Sequence, residues 1–488
     1  MKTIYPFMGL ALCGAAAQAQ EKPNFLIIQC DHLTQRVVGA YGQTQGCTLP
    51  IDEVASRGVI FSNAYVGCPL SQPSRAALWS GMMPHQTNVR SNSSEPVNTR
   101  LPENVPTLGS LFSESGYEAV HFGKTHDMGS LRGFKHKEPV AKPFTDPEFP
   151  VNNDSFLDVG TCEDAVAYLS NPPQEPFICI ADFQNPHNIC GYVGENKGEH
   201  IDSPISTPLP LLPGNFEVED WEKLPLPIQY ICCSHRRMMQ AAHWNEDNYR
   251  HYVAAFQHYT RIVARQIESV LEALYSTPAG KNTIVIVLAD HGDGMGSHRM
   301  VTKQVSFYEE MTNVPFIIAG PGIHPRQKPV EDLLTQPTID LLPTLCELAG
   351  IPVPSSKPGI SLAPFLKGEK QKRQHPYAAS EWHSEYEVTV SPGRMIRSPR
   401  YKYTHYLEGN GEELYDMLKD KGERRNLAHD PKYSKILAEH RALLDDYIRR
   451  TQDDYRSLKV EADKRWRSHA PGYPNHEGPC ARDIINRK

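Results

Sequence analysis

The stretch GCPLSQPSRAALWSG, residues 67–81, brings together one thiol (Cys68), three hydroxyls (Ser71, Ser74, Ser80) and one guanidinium (Arg75). Pro69 and Pro73 disfavour helix before them, and SRAALW after Pro73 is a good helix start. Read alone, this is a Pro-rich turn running into a helix, and which group does chemistry stays open. Acids form a second set. Asp31 and His32 close the apolar run NFLIIQCDH, and Asp290, His291 and Asp293 close NTIVIVLADHGDG. Two carboxylates at neighbouring strand ends can bind a cation or work as an acid–base pair. Strand-end capping or a surface ion pair is the plainer reading for one Asp–His, and two such pairs count against it. The third set is cationic: Lys124 and His126 in HFGKTHDM, His187 in QNPHN and Lys303 in MVTKQ. Singly, each is as readily a solvated or core residue. Together with Arg75 they could line a pocket for an anion with tetrahedral oxygens, and a metal beside it would bind the same anion.

These groups need a scaffold that collects them. The runs at 24–32, 176–187 and 282–294 share one form, a β-branched-rich strand that ends in Asp or His. Continuous apolar strands are what a sheet covered on both faces requires. Between them lie helical patterns, clearest at 249–275, where Val253, Phe256, Val263, Ile267, Val270 and Leu274 recur at three- and four-residue steps. The alternation predicts an α/β fold around a large, mainly parallel sheet, with ligands at the carboxyl ends of the strands. A further helix is predicted over 333–351, ending at Gly350. The charged stretch 367–376 then links to a smaller α+β unit, with a hairpin at 394–408 and a long helix at 432–455. The expected division is a catalytic domain over 20–370 and a C-terminal subdomain with a small antiparallel sheet and a helix over 371–488. The Pro/Gly-rich basic tail follows.

The 488 residues are ample for one large core and a second, smaller one. A net charge of −7 argues against a nucleic-acid partner, so any basic site must be local. The first residues read as a secretory signal: Lys2, an apolar run, and a small-residue site at Ala17-Gln18-Ala19. Cleavage after Ala19 is expected, and no later run is long enough to span a membrane. The protein is therefore read as exported and periplasmic. Of the eleven cysteines, Cys13 falls in that signal. The rest are scattered, with one adjacent pair, Cys232–Cys233, and show no zinc spacing. Most read as small buried apolar residues, with one bridge conceivable but unassigned.

With these sets in hand, SQPSRAALWSG resembles the signature of the type I sulfatases, C/S-x-P-S/A-R followed by an apolar helix and T/S-G. The resemblance spans nearly the whole chain. KPNFLIIQCD, GKTH, PH, ADHGDG…K, VPFIIAGPG and IDLLPTLCELAGI stand in the family's order, and RYKYTHYLEGNGEELYDM resembles the ending of its C-terminal subdomain. It implies an alkaline-phosphatase-like fold. It also implies that Ser71, not Cys68, is oxidised to formylglycine by a maturation enzyme that reads Pro73 and Arg75. It implies Ca²⁺, with Asp31, His32, Ser71, Asp290 and His291 as the metal set. His32 stands where arylsulfatases carry a second Asp. Two imidazoles suit a softer ion better, which leaves His32 either on the metal or beside Asp31 and the sulfate.

The implied chemistry is attack on sulfur by one hydroxyl of the hydrated aldehyde, with Arg75 beside it. Lys124, Lys303 and the metal hold the sulfate oxygens, His187 with Lys303 protonates the sugar oxygen, and His126 deprotonates the second hydroxyl. The resemblance is closest to bacterial glycosaminoglycan sulfatases, particularly those removing the 2-O-sulfate of uronic acid in heparin or heparan fragments. A uronate needs a basic contact beside the sulfate pocket, for which His235, Arg236 and Arg237 are candidates. An exposed basic helix face is the other reading of that segment. Three alternatives stand: another position, such as the 6-O-sulfate of N-acetylglucosamine; a phosphoester hydrolase using unmodified Ser71; and a non-catalytic glycan binder, which the complete polar set argues against.

Overall fold

The computed structural model describes residues 22–458 apart from 44–46, 93–99, 143–155, 199, 202–207, 218–222, 226, 229–235, 242, 304–305, 372–373, 384–391 and 408–410. The expected signal segment, the Cys232–Cys233 pair, His235 and the Pro/Gly-rich tail lie outside the described residues.

The large sheet holds β1 (Asn24–Cys30), β2 (Gly58–Ala64), β3 (Glu118–Gly123), β4 (Lys135–Lys137), β5 (Phe177–Phe183), β6 (Thr283–Ala289), β7 (Phe316–Ala319) and β8 (Val330–Thr335). Their order is β4-β3-β5-β1-β6-β7-β2-β8. Only the pairings of β7 are antiparallel. The three apolar runs are thus adjacent strands, β5-β1-β6, at the centre. Because side chains alternate faces along a strand, Leu26, Ile28 and Cys30 of β1 enter one apolar layer and Phe25 and Ile27 the other. Each fully buried Leu, Ile or Phe contributes roughly 1.5–3 kcal/mol. Burial on both faces is why these strands read as continuous rather than alternating.

Helices cover both faces. On one lie α1 (Leu49–Ser56), α5 (Leu157–Ser170) and the 30-residue helix Glu246–Tyr275, whose N-cap Asn245 accepts from the backbone N–H of Asn248. On the other lie α2 (Ser71–Ser80), α4 (Leu108–Glu114) and the helix Pro337–Ala349. Two short helices, α3 (Pro84–Thr87) and α6 (Ile189–Glu195), flank them. The helix expected to start at 333 starts at Pro337 instead, because 333–335 belong to strand β8. Proline at the first helical position lacks only an N–H that would be orphaned anyway. Gly350, in the left-handed region at φ 69°, ends this helix as expected.

The smaller sheet, in the order β12-β11-β10-β9, consists of β9 (Ala378–Trp382), β10 (Gly393–Arg397), β11 (Tyr401–Tyr406) and β12 (Gly411–Asp416), all antiparallel. The helix Ser434–Thr451 packs on it through Leu437, Leu444 and Tyr447. It stops short of the expected 455, because Gln452 turns left-handed at φ 57°. Glu381 of β9 ties this subdomain to the segment before α2. Its backbone N–H donates to Gly67 O at 2.7 Å, and its carboxylate takes His85 Nδ1 at 2.6 Å and the Tyr447 hydroxyl. Burial alone would raise the Glu381 carboxyl, but His85 and Arg394 outweigh it and hold it at about 2. No described helix is long and apolar enough to cross a membrane.

Candidate active site

Parallel register gathers the polar strand ends. Cys30 lies opposite both Phe183 and Ala289, so Asp31 and Asp290 emerge side by side. Gly123 lies opposite Asp182, so Lys124 follows at the same edge. Gly123 has φ +110° and a Cβ there would stand 2.0 Å from Asp182 O, so the turn into Lys124 requires glycine. Ser71 is the first residue of α2, and its backbone entry, extended at Leu70, points its hydroxyl at these ends. Ser71 Oγ is fully buried. It lies 2.9 Å from His291 Nε2 and 3.4 Å from Asp31 Oδ1, and it accepts from Lys303 Nζ at 3.2 Å. Cys68 packs in the core beneath, its thiol pushed up by burial.

Arg75, one turn into α2, faces away from any pocket. Its Nε donates to Asp290 Oδ2 at 2.8 Å and its NH1 to Asp182 Oδ2 at 2.6 Å, with NH2 3.5 Å from Asp31 Oδ2, all at zero exposure. Burial would lower Arg75, but Asp182, Asp290 and Asp31 outweigh it and raise it further. Arg75 is the cation that joins the three acids Asp31, Asp182 and Asp290. Asp182 was missed in the sequence, although it sits in a run already read as ending in polar residues. Removing one partner of a buried charge leaves the other uncompensated. Asp182→Ala is therefore expected to cost about 3 kcal/mol in urea unfolding, and an unchanged midpoint would rule out this role.

Asp31 Oδ1, Asp290 Oδ1, Ser71 Oγ and His291 Nε2 converge. His291 Nε2 is 3.5 Å from Asp31 Oδ1 and 3.9 Å from Asp290 Oδ1. His291 Nδ1 lies 2.9 Å from Gly292 O, which assigns the proton to Nδ1 and leaves the Nε2 lone pair facing inward. Calcium–oxygen bonds of about 2.3–2.6 Å place neighbouring ligands roughly 3.4 Å apart. Ser71 Oγ, Asp31 Oδ1 and His291 Nε2 at these spacings, with His32 as a further donor within 4.8 Å of Asp31 and His291, fit a divalent cation. Burial would raise Asp31, but Lys124, His187, Lys303 and Arg75 hold it well below the usual carboxylate range. Lys124 Nζ sits directly on Asp31 Oδ2.

The remaining candidates distribute unevenly. His32, at φ 75°, donates its backbone N–H to Asp290 Oδ1 at 3.3 Å. Its ring offers a ligand atom within 4.8 Å of one from Asp31 and one from His291, so these three can share an ion. The ring stacks on His187 at 4.8 Å and meets His291 edge-on at 4.5 Å, and neither ring nitrogen has a hydrogen-bond partner among the described residues. Its Nδ1 stands 3.9 Å from Asp293 Oδ2. Burial pushes Asp293 up to about 7, while its Oδ1 accepts from the Tyr252 hydroxyl at 2.5 Å. His187 precedes α6, and burial with Lys303 and Lys124 holds its ring well below its ordinary value. A bound anion would oppose that shift. Burial and Lys124 lower His126 to about 3. Arg236 opens a short helix, Arg236–Gln240, and Arg237 donates to Gln240 Oε1 at 3.0 Å, beside Gly194 of α6. A cleft of about 670 Å³ between the two sheets, lined by Arg36, Asn215, Glu310, Arg397 and Lys421, contains none of these residues.

Known proteins of one family resemble this chain along nearly all of its length. The family model described as Sulfatase matches residues 23–351, and one described as N-sulphoglucosamine sulphohydrolase, C-terminal, matches 296–450. The chain is 84% identical over 481 residues to a Delta 4,5-hexuronate-2-O-sulfatase of Bacteroides thetaiotaomicron, covering 99% of this chain and 100% of that protein. A solved structure of a 2-O GAG sulfatase superposes with TM-score 0.91 at 84% identity, covering 95% of this chain and 100% of that one. The phosphonate monoester hydrolase of Agrobacterium radiobacter, at 20% identity and TM-score 0.72 over 89% of this chain and 97% of its own, shares the fold.

Proposed function

The chain belongs to the sulfatase family, and from that premise we propose that it removes the 2-O-sulfate from the unsaturated uronic acid of heparin or heparan sulfate fragments. It is a sulfuric ester hydrolase acting on glycosaminoglycans. The observation that carries the substrate is the 84% identity along the full length of a hexuronate-2-O-sulfatase. Export through 1–19 to the periplasm, conversion of Ser71 by a formylglycine-generating enzyme, and the division near 370 belong to the same proposal.

In this reading Ser71 Oγ stands where one oxygen of the hydrated formylglycine would be. Once formed, that group supplies a second hydroxyl, so that sulfate received on the first can be released. Asp31, His32, Asp290 and His291, with residue 71, would hold a calcium-class cation, which would supply positive charge against sulfate oxygens and ease loss of a hydroxyl proton. Lys303 Nζ, 3.2 Å from Ser71 Oγ, is placed to hold a sulfate oxygen, and Lys124 does so from the other side. His187 gives a proton to the departing sugar oxygen. It must be charged to do so, and the bound ester's negative charge raises the ring that Lys303 and Lys124 lower. His126, neutral near pH 7, takes the proton from the second hydroxyl. His32 contributes through its backbone N–H on Asp290. His235, Arg236 and Arg237 are assigned to the uronate carboxylate.

A panel of defined sulfated disaccharides tests this. Sulfate is expected only from those carrying 2-O-sulfated unsaturated uronate; release only from 6-O-sulfated glucosamine would replace the substrate. With the same panel, Arg237→Ala is expected to raise KM about tenfold for the uronate substrate and hardly at all for a small aryl sulfate. Equal effects on both would remove Arg237 from carboxylate recognition.

A further inference from the structure

A second donor cluster of different chemistry shares His32 with the Asp31–His32–His291 group. His32, His187 and Cys190 each offer one ligand atom, and these three atoms lie within 4.8 Å of one another. The fold builds this cluster from two places. His32 is thrown inward by the left-handed turn after β1. His187 and Cys190 are three residues apart on one turn, where the Cys190 N–H donates to His187 O at 2.9 Å. Three-residue spacing at the start of a helix puts both side chains on one face.

An independent observation shows that the cluster lacks a partner. His32 has zero exposure, yet neither ring nitrogen is hydrogen-bonded among the described residues. A buried polar group in that state normally has a ligand or ion to satisfy it. Asp293 Oδ2, also buried and without a hydrogen bond, faces His32 Nδ1 at 3.9 Å. Asp31 and Asp293 thus offset the charges of Lys124 and Lys303 around the cluster.

We infer that His32, His187 and Cys190 form an inhibitory site for a soft divalent cation of the zinc class. Two imidazoles and a thiolate are the donors such ions prefer, and they are the wrong donors for calcium. Zinc–nitrogen bonds of about 2.0 Å and a zinc–sulfur bond of about 2.3 Å require ligand atoms roughly 3.5 Å apart. Closing from the present spacing takes a small rotation of the stacked imidazoles. On binding, the sulfur–metal bond replaces the sulfur–hydrogen bond and the proton leaves to solvent. His187 then has its lone pair on the metal and can no longer carry a proton to the leaving oxygen. The inhibition, though not the binding, rests on the role given to His187 above.

The test uses matured full-length enzyme with calcium held constant. Cobalt(II) is titrated as an optical probe and zinc as inhibitor, in the wild type and in Cys190→Ser and Cys190→Ala, which leave the proposed machinery untouched. The wild type is expected to show a near-ultraviolet thiolate-to-cobalt charge-transfer band that saturates at one equivalent. Both variants should keep basal turnover, lose the band, and need at least about a hundredfold more zinc for half inhibition. No band in the wild type, or a band unchanged in both variants, overturns the site. A band lost with zinc inhibition unchanged overturns the inhibitory role while leaving the binding site, and so separates failure of the site from failure of the acid assignment. A variant that fails to fold is exposed by its basal turnover, and the near-isosteric serine then decides.

Discussion

Ser71→Ala is expected to abolish turnover while leaving the fold intact. The change removes one buried oxygen and opens almost no cavity, so the packing of Leu78 and Trp79 in α2 against the sheet survives. What is lost is the oxygen on which His291, Asp31 and Lys303 converge. The stability cost should stay near 1 kcal/mol, the value of one buried hydrogen-bonding group, whereas sulfate release should fall to background on every substrate. Mass spectrometry of the peptide carrying residue 71, from protein made in its native host, supplies the chemical counterpart. The wild-type peptide should be lighter by two hydrogens and react with a carbonyl probe. Full turnover in clean Ser71→Ala protein would remove the residue from the mechanism. An unmodified serine in fully active protein would make serine itself the nucleophile and point to phosphoester hydrolysis instead.

His187→Ala should lower kcat on sugar sulfates by about 10²–10⁴, the range for loss of a positioned general acid. A sugar alkoxide is a poor leaving group and needs a proton; an aryl oxide carrying electron-withdrawing groups does not. The same variant should therefore lose about tenfold or less on an activated aryl sulfate. The ratio of the two effects is the diagnostic, because a variant that merely distorted the pocket would lose activity on both equally. Equal losses would reassign the acid, with Lys303 next in line at 3.2 Å from Ser71 Oγ. The stacking of His187 on His32 at 4.8 Å makes a structural contribution conceivable, and thermal unfolding of the variant measures it separately.

Much of the site was legible because parallel α/β sheets place function where apolar strands end. Asp31, Asp290 and His291 could be named from the runs that precede them, since continuous burial demands such runs and polar residues can begin only beyond them. Ser71 was singled out only by the resemblance of SQPSRAALWSG to a family signature. Element boundaries were less legible. The pattern at 333–351 mixes a strand and a helix whose apolar residues look alike, and only the start at Pro337 separates them.

The sequence by itself determined the class of sheet and the strand ends, because these follow from local periodicity. The tertiary structure decided who meets whom. Arg75 meets Asp182, Asp290 and Asp31, and His32 comes within reach of Asp31 and His291 on one side and of His187 and Cys190 on the other. The reason is register. The register of β1, β5 and β6 brings residues far apart in sequence into contact (His32 with Asp290, Arg75 of α2 with Asp182), and that alignment is set by packing of the whole sheet, which no local pattern encodes.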